Sequence, residues 1–548
     1  MQGLMMNMPL MISSLIRHAD RFHGDTEIVS RTVEGPIHRY TYHDAHVRSR
    51  KLARALSRLG VRDADRVATL AWNGYRHFEL YYAVSGMGAI IHTINPRLFP
   101  DQLAYIVNHA EDTAVFFDLT FAPLIEKLSP ICKGVKAWVA MTDQAHMPHG
   151  APADWLCYEN LLAAENDDYE WPEFDENRAS GLCYTSGTTG HPKGVLFSHR
   201  STILHAFAAL LPDAMNYSAR SVVLPIVPMF HVNAWGIPYA APIAGAKLVF
   251  PGSALDGKSL YELFESEHVT NSGGVPTVWL GLARYMKENG LRFSTFKVTT
   301  IGGAACPAAL MKSLRDDFGV DVLHAWGMTE MSPVGTIGMP KAKHVALPPN
   351  DRFDLALKQG RPLYGVDMKI VDGDGNELPR DGMTPGNLLV KGPFVARGYF
   401  RDDGSDPLTA DGWFSTGDVG TIDADGYLQI TDRSKDVIKS GGEWISSIEL
   451  ENIAIGHPGV MEAAVIGVRH PKWDERPLLV VVKKPGAELT RQALLDFYEG
   501  RTARWWIPDD VVFVGELPHT ATGKLSKRTL RETFRDHELP ASTATRGD

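Results

Sequence analysis

Cysteine is scarce in this chain. Cys132, Cys157, Cys183 and Cys306 are the only four in 548 residues. They lie far apart with no C-x-x-C pair, which excludes a disulfide framework and a cysteine-based zinc site and fits a reducing cytoplasm. No run of 18 or more apolar residues occurs, so no membrane-spanning helix is expected. The Met/Leu-rich stretch up to Asp25 has neither a basic n-region nor an A-x-A site; it reads as a helix leading into the fold and not as a signal peptide. The Ser542–Asp548 stretch is not a targeting tail of the S-K-L type. Positive charge is not in excess: Lys+Arg 55 against Asp+Glu 65 leaves −10, the wrong sign for a general nucleic-acid binder. A local basic groove for a phosphate-bearing ligand stays open. G-x-G-x-x-G, H-E-x-x-H and G-x-S-x-G are all missing, so the dinucleotide fingerprint, the zincin site and the serine-hydrolase elbow have no support.

What is there is the composition of a globular protein, 44% hydrophobic and 22% charged. Apolar residues at helical spacing predict a helix over Tyr42–Leu59 and another around His77–Ser85. Short apolar runs predict strands at Arg66–Ala71, Ala89–Ile94, Ser221–Pro228, Ala246–Pro251, Val298–Gly302 and Asp321–Ala325. Such alternation implies mostly parallel sheets covered by helices, an α/β fold. From about Gly365 the pattern turns to period two around Asp372-Gly-Asp-Gly and Asp423-Ala-Asp-Gly, the mark of antiparallel hairpins. Asp372-Gly-Asp-Gly-Asn-Glu starts like a calcium loop, but Glu377 stands where the sharp-turn glycine belongs. After Asp432 the chain resets to a helix at Ser447–His457 and strands at Ala463–Val468 and Leu478–Val482. The expected organisation is a large unit, residues 1–432, ending in the antiparallel region from about 365, and a small α+β unit, residues 433–548.

Tyr184-Thr-Ser-Gly-Thr-Thr-Gly-His-Pro-Lys-Gly194 is the most informative stretch. It carries four hydroxyls besides Tyr184, three glycines and one lysine. Glycines let backbone N–H groups turn toward an anion, hydroxyls add neutral donors, and Lys193 adds charge. It is not a Walker A loop, because Pro192 stands where G-x-x-x-x-G-K needs glycine. Read alone, a Gly/Ser/Thr-rich surface loop is the lesser alternative to an anion-binding one.

Five more segments follow: Ile301-Gly-Gly-Ala-Ala-Cys306, His324-Ala-Trp-Gly-Met-Thr-Glu330, Trp413-Phe-Ser-Thr-Gly-Asp418, Asp432-Arg-Ser-Lys-Asp-Val-Ile-Lys-Ser-Gly-Gly-Glu-Trp444 and Thr520-Ala-Thr-Gly-Lys524. With the phosphate loop they resemble, in order and spacing, the acyl-adenylate-forming superfamily of acyl-CoA synthetases, luciferases and peptide-synthetase adenylation domains. Within it the chain is most similar to bacterial medium-chain and methylmercaptopropionate-CoA ligases. The segments Val222–Tyr239, His324–Pro333, Ile438–Pro458 and His470–Lys483 carry that likeness.

The resemblance implies a distorted β-barrel beside the large sheets and a mobile C-terminal domain. It also implies a two-step reaction: a carboxylate attacks the α-phosphate of ATP to give acyl-AMP and pyrophosphate, and the coenzyme A thiol then displaces AMP. It puts Thr185, Ser186, Gly187, Thr188, Thr189 and Lys193 around the leaving phosphates, Glu330 on Mg2+ and Thr329 on the α-phosphate. Gly303, Ala304 and Ala305 would line the adenine, with Trp326, Gly327 and Met328 beside it. Trp326 replaces a tyrosine common in relatives, so stacking should persist while the tyrosine hydroxyl is lost. Asp418 and Arg433 would hold the ribose. Lys524 is the expected catalytic ammonium, bridging carboxylate and α-phosphate as charge builds up.

Asp432 would be the hinge about which the small domain turns between half-reactions. Lys439, Ser440, Gly441, Gly442 and Trp444 would line the coenzyme A channel, the glycines leaving room for pantetheine. His231, Trp235, Val275, Gly302 and Pro333 would form the acyl pocket, with Gly302 leaving room for a chain and His231 beside the carboxylate. His231 and Trp444 each have a plain core reading as well. Phe230–Trp235 contains no carboxylate to pair with an α-ammonium, which argues against an amino-acid substrate. The expected acid is a short- or medium-chain fatty acid, with methylmercaptopropionate or an aromatic, cinnamate-type acid as alternatives. Loading of an acyl-carrier protein is the other alternative. The resemblance also implies a homodimer, for which the sequence has no interface signature of its own.

Overall fold

The computed structural model describes residues 1, 3–185, 192–401, 404, 406–441, 443–519 and 525–540. Among these, four sheets are formed. One runs Trp155–Cys157, Ala137–Ala140, Asp112–Phe117, Arg66–Leu70, Ile90–Thr93, Ala179–Tyr184 and Gly194–Ser198; only the last strand is antiparallel to its neighbour. A second is parallel through Asp321–Gly327, Val298–Ile301, Asn271–Gly274, Val222–Pro225, Lys247–Phe250 and Glu27–Arg31. Antiparallel strands close it at both edges.

The two sheets face one another across a layer of helices. Helix Tyr75–Gly86 is buried along its whole length. Its Phe78 and Tyr82 share one core with Val67, Ile91 and Phe116 of the first sheet and Val223, Leu248 and Phe250 of the second. A position between two sheets buries its polar side chains too, and Arg76, His77 and Glu79 are paired with Glu159, Thr69 and Arg48. Tyr81 and Tyr82 donate their hydroxyls to the carbonyls of Met229 and Pro238, both at 2.6 Å, and so tie this layer to the segment after strand Val222–Pro225. Separate clusters cover the outer faces, one under helix Pro100–Ala110 and one under helices Gly257–Ser266, Pro276–Glu288 and Ala308–Phe318. The expected helix over Tyr42–Leu59 forms as Tyr42–Arg58, started by a capping box in which Thr41 and Asp44 exchange hydrogen bonds.

The period-two region forms the antiparallel sheet Asp367–Val371, Gly386–Lys391, Phe414–Ile422 and Leu428–Arg433. Isolated bridges such as Gly360–Leu428 and Leu408–Phe414 extend its rims. Asp372 and Asp423 close its turns by accepting backbone N–H groups, as hairpin residues do. The last sheet joins Glu443–Ile445, Ile438–Ser440, Asp474–Lys483, Val460–His470 and Asp510–Val514. Its two hydrophobic clusters draw only on residues between Ile438 and Leu539. No helix among the described residues is long and apolar enough to cross a membrane.

Candidate active site

The phosphate loop springs from the carboxyl end of Ala179–Tyr184 and returns as Gly194–Ser198. The Thr185 N–H donates to the Lys193 carbonyl at 2.8 Å, and Tyr184 pairs with Gly194. These contacts fix the loop's base, while Ser186, Gly187, Thr188 and Thr189 lie outside the described residues. Ligands of open α/β sheets bind at the carboxyl ends of strands, where backbone donors converge. Behind the loop the Tyr184 hydroxyl lies 2.6 Å from His109 Nδ1.

Strand Asp321–Gly327 delivers the next group. It ends in Met328 and the tight turn Thr329–Met331, in which Thr329 and Glu330 are buried. Glu330 Oε1 accepts the Tyr399 hydroxyl at 2.8 Å, and the Glu330 carbonyl accepts the Ala396 N–H at 2.7 Å. Burial pushes the Glu330 carboxyl upward in pKa, and the Tyr399 hydrogen bond opposes that. Lys193 Nζ stands 4.7 Å from the centroid of the same Tyr399 ring.

Asp418, only 2% exposed, is held from two sides. Trp326 Nε1 donates to its Oδ2 at 2.9 Å, and Arg433 Nε meets its Oδ1 at 2.8 Å. The indole's benzo edge rests against Gly335, where a Cβ would come within 2.9 Å of Cζ3. Gly335 therefore makes space for tryptophan, whose N–H supplies a polar contact of its own.

On the acyl side, Val232, Asn233, Ala234, Trp235 and Gly236 all have positive φ, from 47° to 79°, forming one left-handed turn. Each non-glycine residue in that region costs on the order of 1–2 kcal/mol, so the surroundings must enforce it. Cys183 Sγ accepts the Val232 N–H at 3.5 Å, and Asn233 Oδ1 accepts the hydroxyls of Tyr81 and Thr93 at 3.4 and 3.3 Å. Trp235 lies over Gly273, where a Cβ would stand 3.3 Å from its ring. Gly236 packs on His205, whose pKa burial lowers to about 3 and whose Nε2 accepts the Val334 N–H at 3.0 Å.

Residues 15–400 match the model of the AMP-binding enzyme family, and residues 449–524 match its C-terminal domain. The chain belongs to the AMP-binding enzyme family. It is 53% identical over 536 residues to a 3-methylmercaptopropionyl-CoA ligase of Ruegeria lacuscaerulensis, covering 98% of this chain and 99% of that one. It is 52% identical over 547 residues to a medium-chain-fatty-acid–CoA ligase of Ectopseudomonas oleovorans, covering 99% and 100%. The ATP-bound crystal structure of MatB from Rhodopseudomonas palustris superposes with a TM-score of 0.79 at 26% identity, covering 96% of this chain and 99% of that one.

The structure brings several of the AMP-binding residues expected from the sequence together. Trp326, Asp418 and Arg433 are in direct contact, and Tyr399 links Lys193 with Glu330. Gly303, Ala304 and Ala305 follow strand Val298–Ile301 at its carboxyl end, with Gly303 at φ +79° and next to Val275. His231 and Trp235 are half-buried, and Pro333 is buried. Lys524 and Gly442 lie outside the described residues.

Two of the expected glycines have packing demands of their own. A Cβ on Gly302 would stand 2.7 Å from the Ala325 carbonyl oxygen, so close strand packing requires glycine there. Gly441, at φ +62°, faces Trp473, whose ring would be 2.8 Å from a Cβ. Lys439 is exposed, Trp444 is half-buried, and the Ser440 hydroxyl accepts from Arg476 at 3.3 Å. Sequence reasoning missed Tyr399, Gly335, Gly273 and Trp473. Each serves a residue distant in the chain, and no local pattern marks them.

Trp326→Phe keeps an aromatic ring and deletes the N–H. Hydrogen bonds to charged groups are worth about 1.5–3 kcal/mol, so AMP affinity is expected to fall roughly tenfold, with some loss of thermal midpoint because Asp418 is left short of a donor. Calorimetric titration with AMP checks this; wild-type affinity in the variant would show that the indole N–H does not orient Asp418.

Proposed function

We propose that this protein, an AMP-forming acid–CoA ligase that uses ATP, Mg2+ and coenzyme A, activates a short- or medium-chain fatty acid. The observation that carries the reading is near-full-length identity of about one half to a ligase named for medium-chain fatty acids. The absence of any carboxylate from Phe230–Trp235 agrees with it.

In the adenylation step Thr185, Ser186, Gly187, Thr188, Thr189 and Lys193 hold the leaving phosphates, because phosphoryl transfer needs charge neutralised on oxygen more than covalent help. Magnesium enters with ATP as part of the substrate. Mg2+ is usually bound by one or two carboxylates plus substrate phosphates. The single buried carboxylate of Glu330 fits that donor set, and no cluster of three or more His, Cys, Asp or Glu able to hold a metal occurs among the described residues. Thr329 contacts the α-phosphate. Gly303, Ala304, Ala305, Trp326, Gly327 and Met328 border the adenine, and Asp418 with Arg433 takes the ribose hydroxyls. Lys524 stabilises the charge shared by carboxylate and α-phosphate.

His231, Trp235, Val275, Gly302 and Pro333 border the acyl group. The small domain then turns about Asp432, so that Lys439, Ser440, Gly441, Gly442 and Trp444 admit coenzyme A. A homodimer and a cytoplasmic location accompany this reading; all four cysteines are buried free thiols, as a reducing compartment allows.

Methylmercaptopropionate is the second reading, favoured by 53% identity to a ligase named for that acid. It differs from pentanoate by one sulfur in place of a methylene, so an apolar pocket separates the two weakly. Each buried methylene is worth about 0.8 kcal/mol, roughly fourfold in affinity, and selectivity is set by where the pocket ends. The expected result is an optimum of kcat/KM for coenzyme A-dependent AMP release on an aliphatic or thioether acid in a panel spanning C3–C16 acids, methylmercaptopropionate and cinnamate. An optimum on cinnamate would overturn the aliphatic reading. Pyrophosphate exchange with little coenzyme A-dependent AMP release would point instead to a carrier protein as acceptor.

A further inference from the structure

Tyr399 belongs to none of the segments that the reaction assigns to ATP, yet two of its faces meet groups that do. Its hydroxyl lies 2.8 Å from Glu330 Oε1, and its ring carries Lys193 Nζ 4.7 Å from the centroid. The segment around it is clamped at both ends. The Ala396 N–H donates to the Glu330 carbonyl at 2.7 Å, and the Phe400 N–H donates to the Gly194 carbonyl at 2.8 Å, next to Lys193. Arg401 then anchors the segment to the end of helix Pro100–Ala110 through the His109 carbonyl at 3.0 Å and the Glu111 carboxylate at 2.6 Å. Residues 396–401 thus strap the strand leaving the phosphate loop to the turn that carries Glu330.

We propose that Tyr399 is a positioning residue for MgATP, setting the spacing between the Glu330 carboxylate and the Lys193 ammonium; the proposal rests on the adenylate-forming reading above. A carboxylate has about four acceptor sites on its two oxygens, so a phenol on Oε1 leaves capacity for a metal while fixing the group's rotation. A ring face attracts an ammonium without neutralising it, which leaves the charge available to phosphate. One rigid side chain therefore orients two oppositely charged groups that must approach the same phosphates.

The test uses the full chain with Mn2+ as the magnetic probe for Mg2+. Tyr399→Phe keeps the ring and removes the hydroxyl. Electron paramagnetic resonance titration with ATP present should show Mn2+ bound roughly tenfold more weakly, the low end of what a lost hydrogen bond to a charged group costs. Calorimetric AMP affinity, which needs neither metal nor the outer phosphates, should stay at the wild-type value. Tyr399→Leu should add about a two- to fivefold loss in affinity for metal-free ATP, the scale of an exposed cation–π contact.

Wild-type Mn2+ affinity in Tyr399→Phe would overturn the assignment. So would AMP affinity falling in the same proportion, because that marks general distortion. A wild-type chain that binds neither AMP nor ATP would overturn the adenylate reading itself, and this assignment with it.

Discussion

Replacing Lys524 with alanine is expected to lower acyl-AMP formation by on the order of 10²–10³-fold, the cost of removing one preorganised charge stabiliser. Thioester formation from supplied acyl-AMP and coenzyme A should continue at close to the wild-type rate. The asymmetry follows from where charge builds up. In adenylation two anions, the carboxylate and the α-phosphate, are pushed together, and a mobile ammonium on a long stem can bridge them. In thioester formation the mixed anhydride already exists; the coenzyme A sulfur, giving up its proton, attacks the acyl carbon and AMP leaves, so no carboxylate is driven onto the phosphate.

The residues flanking Lys524 are firmly placed. His519 bridges to Leu525, the Ser526 N–H donates to the Pro518 carbonyl at 2.8 Å, and Lys527 forms an ion pair with buried Glu451 at 2.8 Å. An alanine at 524 therefore removes charge without loosening the base of its segment. Pyrophosphate release reads the first half-reaction, and chromatographic detection of acyl-CoA from synthetic acyl-AMP reads the second. Equal loss in both would remove Lys524 from the adenylation step. Lys524→Arg keeps the charge but swaps a compact ammonium for a planar fork, and should recover only part of the rate.

Local pattern carried the fold a long way. Arg66–Leu70, Val298–Ile301 and the helix at Tyr42–Arg58 fall where apolar spacing puts them, because each buries one face or one run. The hairpins after Gly365 were legible for the same reason. Features set by distant partners were not legible. The Trp326–Asp418 hydrogen bond joins residues 92 apart. The left-handed turn at Val232–Gly236 has no glycine until its last residue, and buried partners from three other segments hold it. The packing demand on Gly302 shows only once the Ala325 carbonyl is seen beside it. Tyr399 was hidden because an aromatic in a loop has many bland explanations, and only three dimensions show it touching both Lys193 and Glu330.

The proposed hinge shows the same contrast more sharply. Asp432 and Arg433 are neighbours on one strand, so their side chains leave on opposite faces. Arg433 reaches Asp418, while Asp432, 1% exposed, reaches the start of helix Ser447–Ile455. Asp432 Oδ2 accepts the Ser447 N–H at 2.7 Å and its hydroxyl at 2.5 Å, an acidic group at a helix N-terminus. Lys527 in turn contacts the Ser447 hydroxyl. Burial pulls the Lys527 ammonium down in pKa, but the carboxylates of Glu451 and Asp432 outweigh it and hold it above its ordinary value. A swivel at this point would therefore have to carry the buried charge cluster along with the helix and turn the backbone next to the Val419–Asp432 strand pairing.

The second large-effect prediction needs a reference variant, because proline at 432 changes three things at once. Asp432→Pro removes the carboxylate, removes the backbone N–H of a strand residue and locks φ near −65°. Asp432→Ala removes the carboxylate alone, and is the proper reference. Loss of the helix-capping bonds should cost either variant about 1–3 kcal/mol of stability in the small domain, visible as a lower thermal midpoint. Their half-reactions should then diverge. With adenylation near the alanine level, the proline variant should form thioester from supplied acyl-AMP more slowly than the alanine variant by on the order of 10²-fold, since a channel that is not brought to the adenylate leaves the thiol out of reach. Stopped-flow assay of acyl-CoA formation at saturating coenzyme A makes the comparison. If the proline variant matches the alanine variant in that step, rotation at Asp432 is not what presents the coenzyme A channel, and the hinge lies elsewhere in the chain.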